Sequence, residues 1–267
     1  LAGEYIYYEN EREAISPDAM KGSLLGPYFS KKEVERMNRK WGAQATYIDD
    51  FGELCEKAAG LLADGKILGW FQGRMEYGPR ALGNRSILAD PGRQDMQQKL
   101  NLSIKYRESF RPFAPSVLKE DASQYFELEG ESPYMLLTAQ VKATEKFSFD
   151  ESYYALEMKD RLQVRKSDLP AITHVDGSAR VQTVDQQRNP RFHQLLQVFK
   201  EKSGHGMLVN TSFNVRGEPI VHSPDDAFRC FMATEMDVLV IGDFLYLKNE
   251  QPQELENRGW NREFEKD

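Results

Sequence analysis

The chain has 267 residues, 40% of them apolar and 29% charged, enough for one large domain or two modest ones with a packed core. Its 35 basic residues against 42 acidic ones leave a net charge of −7, which excludes a general nucleic-acid binder and confines any anion site to a local basic patch. Apolar runs such as Val238-Leu239-Val240-Ile241 are too short to span a bilayer, the first residues carry no secretory signal, and Cys55 and Cys230 make neither a disulfide framework nor a zinc site, so a reducing cytoplasm is expected.

The first residues read as the tail of a preceding region or a connector, broken at Leu24-Leu25-Gly26-Pro27. Ser30 and Glu33 have the spacing of a capping box and open a short helix over 31–40. Phe51, Leu54, Cys55, Ala58, Leu61 and Leu62 share one helical face, and Asp64-Gly65 ends that helix. Residues 67–71 read as a buried strand, 86–89 as a second strand, and Met96, Leu100 and Ile104 as a helix. Pro112 and Pro115 bracket an extended segment reaching Leu118, and 134–141 reads as another strand. The charged stretch 142–168 reads as an insertion.

Residues 172–175 and 180–184 flank an Asp176-Gly177 turn and read as a hairpin. A helix through Phe192, Leu195, Leu196 and Phe199 ends at Ser203-Gly204, and a strand over 207–210 runs into a polar cluster. Ser223-Pro224 starts a last helix, reaching about Thr234, and strands over 238–241 and 244–247 close the pattern. Helices and strands alternate without a clean βαβ rhythm, so the expected class is α+β or mixed α/β.

Chemistry concentrates in residues 73–111, where eight cations face four acids within an acidic chain. Arg74, Arg80 and Arg111 sit beside glycine, proline or phenylalanine, and Arg85 lies two residues after Gly83. Glycine lets backbone approach a ligand, and arginine offers a planar fork for phosphate or carboxylate. The same charges would suit a solvated face, but their wedged positions favour an anion pocket. Asn210-Thr211-Ser212-Phe213-Asn214 follows an apolar strand and places small polar donors at its end, or forms an ordinary polar turn. Around the Asp176-Gly177 turn, Arg180 is a better ligand candidate than the lone His174. No HxxxH, HExxH, CxxC, P-loop or dinucleotide fingerprint occurs, so no metal site is expected from this chain.

The run Gly69-Trp70-Phe71-Gln72-Gly73-Arg74-Met75-Glu76-Tyr77-Gly78-Pro79-Arg80-Ala81-Leu82-Gly83-Asn84-Arg85-Ser86 resembles the signature of the O-carbamoyltransferases of nodulation-factor and antibiotic biosynthesis. Lys105-Tyr106-Arg107-Glu108, Phe110-Arg111-Pro112-Phe113-Ala114-Pro115, Ala179-Arg180-Val181-Gln182 and Asn210 to Asn214 continue the match in order. The resemblance implies a YrdC-like twisted sheet with helices around a basic cavity over 46–250, preceded by a tail of an absent N-terminal domain over 1–45 and followed by a polar tail over 251–267. It also implies that carbamoyl phosphate and ATP, with Mg²⁺ on the nucleotide, give carbamoyl adenylate, whose carbamoyl group an N-terminal part passes to a hydroxyl-bearing small molecule. By the same resemblance, Lys105, Arg111, Arg180 and Ser212 carry catalysis. Lys105 and Arg111 bind carbamoyl phosphate and the α-phosphate, Arg80 and Arg180 clamp the remaining phosphates, and Asn210 and Ser212 donate to phosphates or the carbamoyl group. Met135, on its expected strand, touches adenine or simply packs in the core. A non-catalytic nucleotide-binding module and a stand-alone threonylcarbamoyl-adenylate synthase are the competing readings.

Overall fold

The computed structural model of the chain describes residues 7–8, 15, 17–142, 151–161, 164 and 167–256. Nine strands form one mixed sheet: β1 (Thr46–Tyr47), β2 (Leu68–Phe71), β3 (Arg85–Ala89), β4 (Ala114–Leu118), β5 (Leu137–Gln140), β6 (Ser178–Val184), β7 (Met207–Ser212), β8 (Val238–Ile241) and β9 (Phe244–Leu247). Their order is β1-β9-β8-β2-β3-β7-β4-β6-β5. The β2–β8 and β4–β6 pairs are parallel and the others antiparallel.

Central strands are apolar on both sides because both faces are covered. Leu68, Trp70, Leu88, Leu208, Val238 and Val240 point to one layer, while Phe71, Ile87, Ala89, Val209, Leu239 and Ile241 point to the other. The first layer is filled by α2 (Phe51–Ala63) and α7 (Pro190–Ser203), through Leu54, Ala58 and Leu62 against Phe192, Leu196 and Phe199. The second takes α1 (Lys31–Trp41), α3 (Met96–Ser103) and α8 (Pro224–Met232). Four shorter helices complete the described residues: α4 (Ala122–Tyr125), α5 (Glu151–Ala155), α6 (Met158–Arg161) and α9 (Gln253–Glu256).

Local chemistry fixes the helix ends. The Asp50 carboxylate accepts from Gly52 N at 2.6 Å and Glu53 N at 3.2 Å. Asn189 accepts from Phe192 N, with Pro190 in the first turn. Ser223 and Asp226 close a capping box, as do Ser30 and Glu33. Gly42 and Gly204 end α1 and α7 in the left-handed conformation.

Several expectations need correction. Of the hairpin expected over 172–184, the Asp176-Gly177 turn forms, with His174 N on Ser178 O at 2.8 Å, and β6 follows it, but 172–175 is not a strand. Thr173 Oγ1 donates to Leu169 O at 2.8 Å and Ile172 N to Leu169 O at 3.3 Å, which turns this stretch instead of extending it. The places beside β6 belong to β4 and β5. The strand expected over 134–141 shrinks to β5, and Met135 lies before it in a turn, with φ of +55° and its N–H on Ser132 O. Of the stretch 142–168, residues 143–150, 162–163 and 165–166 lie outside the described residues; the rest holds α5 and α6.

The segment read as a connector is docked where it is described. Val34 and Met37 are buried in the core, Asn38 Oδ1 accepts from Tyr246 Oη at 2.8 Å, and Arg188 binds Asp18 at 2.6 Å. From the expected C-terminal tail, Gln251 binds Gln44 and Leu255 is buried, while residues 257–267 lie outside the described residues.

Candidate functional site

On the α2/α7 face the apolar layer gives way to polar side chains toward the Ser212 end of β7. Asn210 is buried, and its Nδ2 shares two hydrogens among Ser116 Oγ at 2.9 Å, Gln182 Oε1 at 2.9 Å and Ala81 O at 3.1 Å. Gln182 in turn donates to Leu82 O at 2.9 Å. These bonds lash the loop 73–84 across β7, β4 and β6. Arg180 precedes Gln182 by two residues on the same face of β6. Its charge and that of Arg80 repel, and Arg180 sits below the usual guanidinium range, first because it is half buried and then because of Arg80. Arg80 Nε, Arg180 Nε and Asn210 Oδ1 are buried atoms without a partner among the described residues. Native interiors rarely leave such groups unsatisfied. Met135 is buried against Leu82 and Ala114 nearby.

The loop itself is built by Glu76, which is buried. Its Oε1 accepts from the N–H groups of Asn84 at 2.6 Å, Leu82 at 2.8 Å and Arg85 at 3.1 Å. Arg85 is fully buried, stacked 3.5 Å from the Phe71 ring centroid, with its NH groups on the carbonyls of Gln72, Gly73, Asn84 and Pro27. Burial pulls its pKa down to about 10 despite Glu76. Gly83 has φ of +106°, and a Cβ there would lie 2.1 Å from the Phe192 ring, so only glycine lets the loop meet α7.

Two residues beyond Asn210 on the same strand face, about 7 Å along β7, Ser212 borders a cavity of about 270 Å³. Lys105, Arg107, Arg111 and Arg216 line it against a single carboxylate, Glu108. Lys105 is buried, and its Nζ donates to Ser212 O at 2.5 Å, Asn214 O at 2.9 Å and Asn214 Oδ1 at 2.9 Å, with Ser212 Oγ at 3.3 Å. Burial lowers its pKa to about 7; the Cys230 thiol opposes the fall and the Arg107 charge adds to it. Arg107 is aimed by Asn101 Oδ1 at 2.7 Å and lies 4.9 Å over the Phe113 ring. Arg111 pairs with Glu108 at 3.0 Å while half exposed, and the Glu108 carboxyl is held below its usual range first by its own backbone N–H and then by Arg111 and Arg216.

Of the residues marked out in sequence, Lys105, Arg111 and Ser212 therefore meet at one cavity. Arg80, Arg180, Asn210 and Met135 gather at the adjoining polar patch. Arg216 also lines the cavity, and its only signal in the sequence is its place just after the Asn210–Asn214 block. Glu76 and Asn214 were quoted in the matched runs without a role. Among the described residues no group of three His, Cys, Asp or Glu could hold a metal ion, and no helix is long and apolar enough to cross a membrane.

Comparison with known proteins places these features. An uncharacterized protein of Synechocystis sp. is 52% identical over 98% of this chain and 43% of its own length. Nodulation protein NolO of Bradyrhizobium diazoefficiens is 40% identical over 87% of this chain and 38% of its own. A 3'-hydroxymethylcephem-O-carbamoyltransferase of Amycolatopsis lactamdurans is 38% identical over 73% of this chain and 33% of its own. The chain thus spans less than half the length of each of these relatives. The crystal structure of full-length HypF in its phosphate- and nucleotide-bound form covers 76% of this chain and 22% of its own, with a TM-score of 0.43 and 15% identity, a level that carries no argument about function or fold. Residues 59–248, which hold both the polar patch and the cavity, match the sequence pattern of the carbamoyltransferase C-terminus, and the chain belongs to that family.

Proposed function

We propose that the chain is the adenylate-forming part of an O-carbamoyltransferase. Carbamoyl phosphate releases carbamate and inorganic phosphate with water. A carbamate oxygen then bonds to the α-phosphorus of ATP while the α–β bridging oxygen leaves with pyrophosphate. The carbamoyl adenylate would be passed to a hydroxyl-bearing small molecule by the remainder of the longer protein. The observation that carries this reading is the cavity in which Lys105, Arg107, Arg111 and Arg216 outnumber Glu108.

Both substrates are polyanions, and charge builds on phosphoryl oxygens as pyrophosphate departs, so fixed cations are the groups this step needs. At about 270 Å³ the cavity is below the roughly 300–1,000 Å³ usual for a drug-sized ligand. It suits a phosphate chain or carbamoyl phosphate better than a whole nucleotide. In this reading Lys105 and Arg111 bind the reacting phosphates and Arg80 and Arg180, with Nε atoms unspent, clamp the others. Asn210, expected as a donor to phosphate or carbamoyl group, has its amide hydrogens engaged by Ser116, Gln182 and Ala81 and instead holds the Arg80 loop in register, and Met135 borders the adenine. Mg²⁺ would be carried by the nucleotide's phosphates, where it neutralises charge on the leaving pyrophosphate. The two buried free thiols fit a reducing cytoplasm.

The test is carbamoyl-phosphate-dependent exchange of labelled pyrophosphate into ATP. Exchange that disappears in Lys105→Ala supports the proposal. ATP binding without exchange contradicts it and favours a non-catalytic nucleotide-binding module.

A further inference from the structure

Asn214 closes a knot with the two side chains best placed to meet a phosphate. An ammonium has three hydrogens. The carbonyls of Ser212 and Asn214 take two of those on Lys105, at 2.5 and 2.9 Å, and the third goes to Asn214 Oδ1 at 2.9 Å. The Ser212 hydroxyl donates to the same Oδ1 at 2.7 Å. One neutral amide oxygen therefore holds the free hydrogen of the lysine and the hydrogen of the serine. The other end of the amide is anchored, since Nδ2 donates to Glu218 O at 2.6 Å across a turn closed by Glu218 N on Val215 O.

A phosphate oxygen bound between Lys105 and Ser212 would need these same two hydrogens. We propose that Asn214 Oδ1 is an intramolecular placeholder for a ligand phosphate oxygen, which displaces it from Lys105 Nζ and Ser212 Oγ. The proposal rests on the reading of the cavity as a phosphate site. Its logic is electrostatic. A buried ammonium left short of acceptors is costly, so Lys105 needs a third acceptor whenever no phosphate supplies one. A neutral amide supplies one and still loses to an anion, whose charge-assisted bonds are about twice as strong. A carboxylate at this position would not yield so readily. Arg107, Arg111 and Arg216 around the cavity favour the incoming anion further. The two main-chain carbonyls remain on Nζ throughout, so the lysine stays aimed while the amide leaves.

The experiment is calorimetric titration of inorganic pyrophosphate into the whole chain, its Asn214→Ala, Asn214→Asp and Lys105→Ala variants, with thermal melting to confirm folding. A placeholder predicts binding tightened at least about 5-fold in Asn214→Ala, the worth of two hydrogen bonds no longer broken, and weakened at least about 10-fold in Asn214→Asp. A folded Asn214→Ala that binds equally or more weakly overturns the placeholder, because a residue that merely scaffolds the site would lower affinity when removed. Should Asn214→Ala not fold, Asn214→Ser, too short to reach both donors, carries the same expectation. Unchanged binding in Lys105→Ala would overturn the phosphate reading of the cavity itself, whereas lost binding there with weaker binding in Asn214→Ala would leave that reading standing without the placeholder.

Discussion

The loops 73–85 and 105–111 each carry three cations, and the fold uses the two sets differently. In the first, Arg85 points inward and its NH groups are taken up by main-chain carbonyls, Arg74 donates to Gly26 O at 3.1 Å, and Glu76 gathers three backbone N–H groups. Only Arg80 is left facing the polar patch. In the second, Lys105, Arg107 and Arg111 all line one cavity with Arg216, and their anchoring partners leave them directed at it. Density of positive charge therefore does not mark a site. A site is where the cations converge without enough protein carboxylates to satisfy them.

The comparison breaks most visibly at Arg85. Replacing it by Ala leaves buried carbonyls unpaired and strips the Phe71 ring of its cover, so unfolding free energy should fall by about 3 kcal/mol or more in chemical denaturation. A loss below about 1 kcal/mol would mean that the loop does not depend on it. Arg111 should behave in the opposite way. Its pair with Glu108 is half exposed on both sides, a class of ion pair worth about 0–1 kcal/mol, so stability should hardly move. ATP affinity in calorimetry should drop by at least about 1.5 kcal/mol, the scale of a lost charged hydrogen bond. Unchanged affinity in both Arg111→Ala and Lys105→Ala would remove these residues from the site.

A further expected effect is on pH dependence. With its pKa held at about 7 in the fold, Lys105 is deprotonated before its unfolded counterpart. Between about 7 and the ordinary lysine value of about 10.4 the unfolded chain binds the proton and the folded chain does not, so this group makes stability rise with pH across that window. Denaturation at pH 7 and 9 should show the wild type gaining on Lys105→Met, and equal changes in the two proteins would show that burial leaves the lysine's proton affinity untouched. Anion affinity should move the other way, falling as pH passes about 7, and Lys105→Arg should flatten that fall.

Elements with strong local signals were legible in the sequence. The face of α2, the Ser223-Pro224 start of α8 and the β8–β9 pair all form where periodicity and capping put them, because each depends on neighbours in the chain. The first strand of the hairpin over 172–184 failed because β6 found β4 and β5 as partners, a choice made by tertiary packing. Apolar spacing puts Met135 on a strand because it cannot reveal a left-handed turn residue. At the site, motif resemblance marked Lys105, Arg111 and Ser212, which do meet. The roles of Glu76 and Asn214 were hidden because a carboxylate or amide acts through groups brought to it by folding, here the Leu82–Arg85 backbone and the Lys105 ammonium. Arg216 carries no motif signal of its own, and only the fold brings it beside Arg111 at the cavity.

The most direct test of the account is a crystal structure of the chain grown with ATP. The account predicts at least one phosphate in the cavity at the end of β7, within hydrogen-bond reach of Lys105 Nζ and the Arg111 guanidinium. A phosphate chain bound elsewhere on the molecule, with Lys105 still on Asn214 and the cavity filled by water, would contradict it.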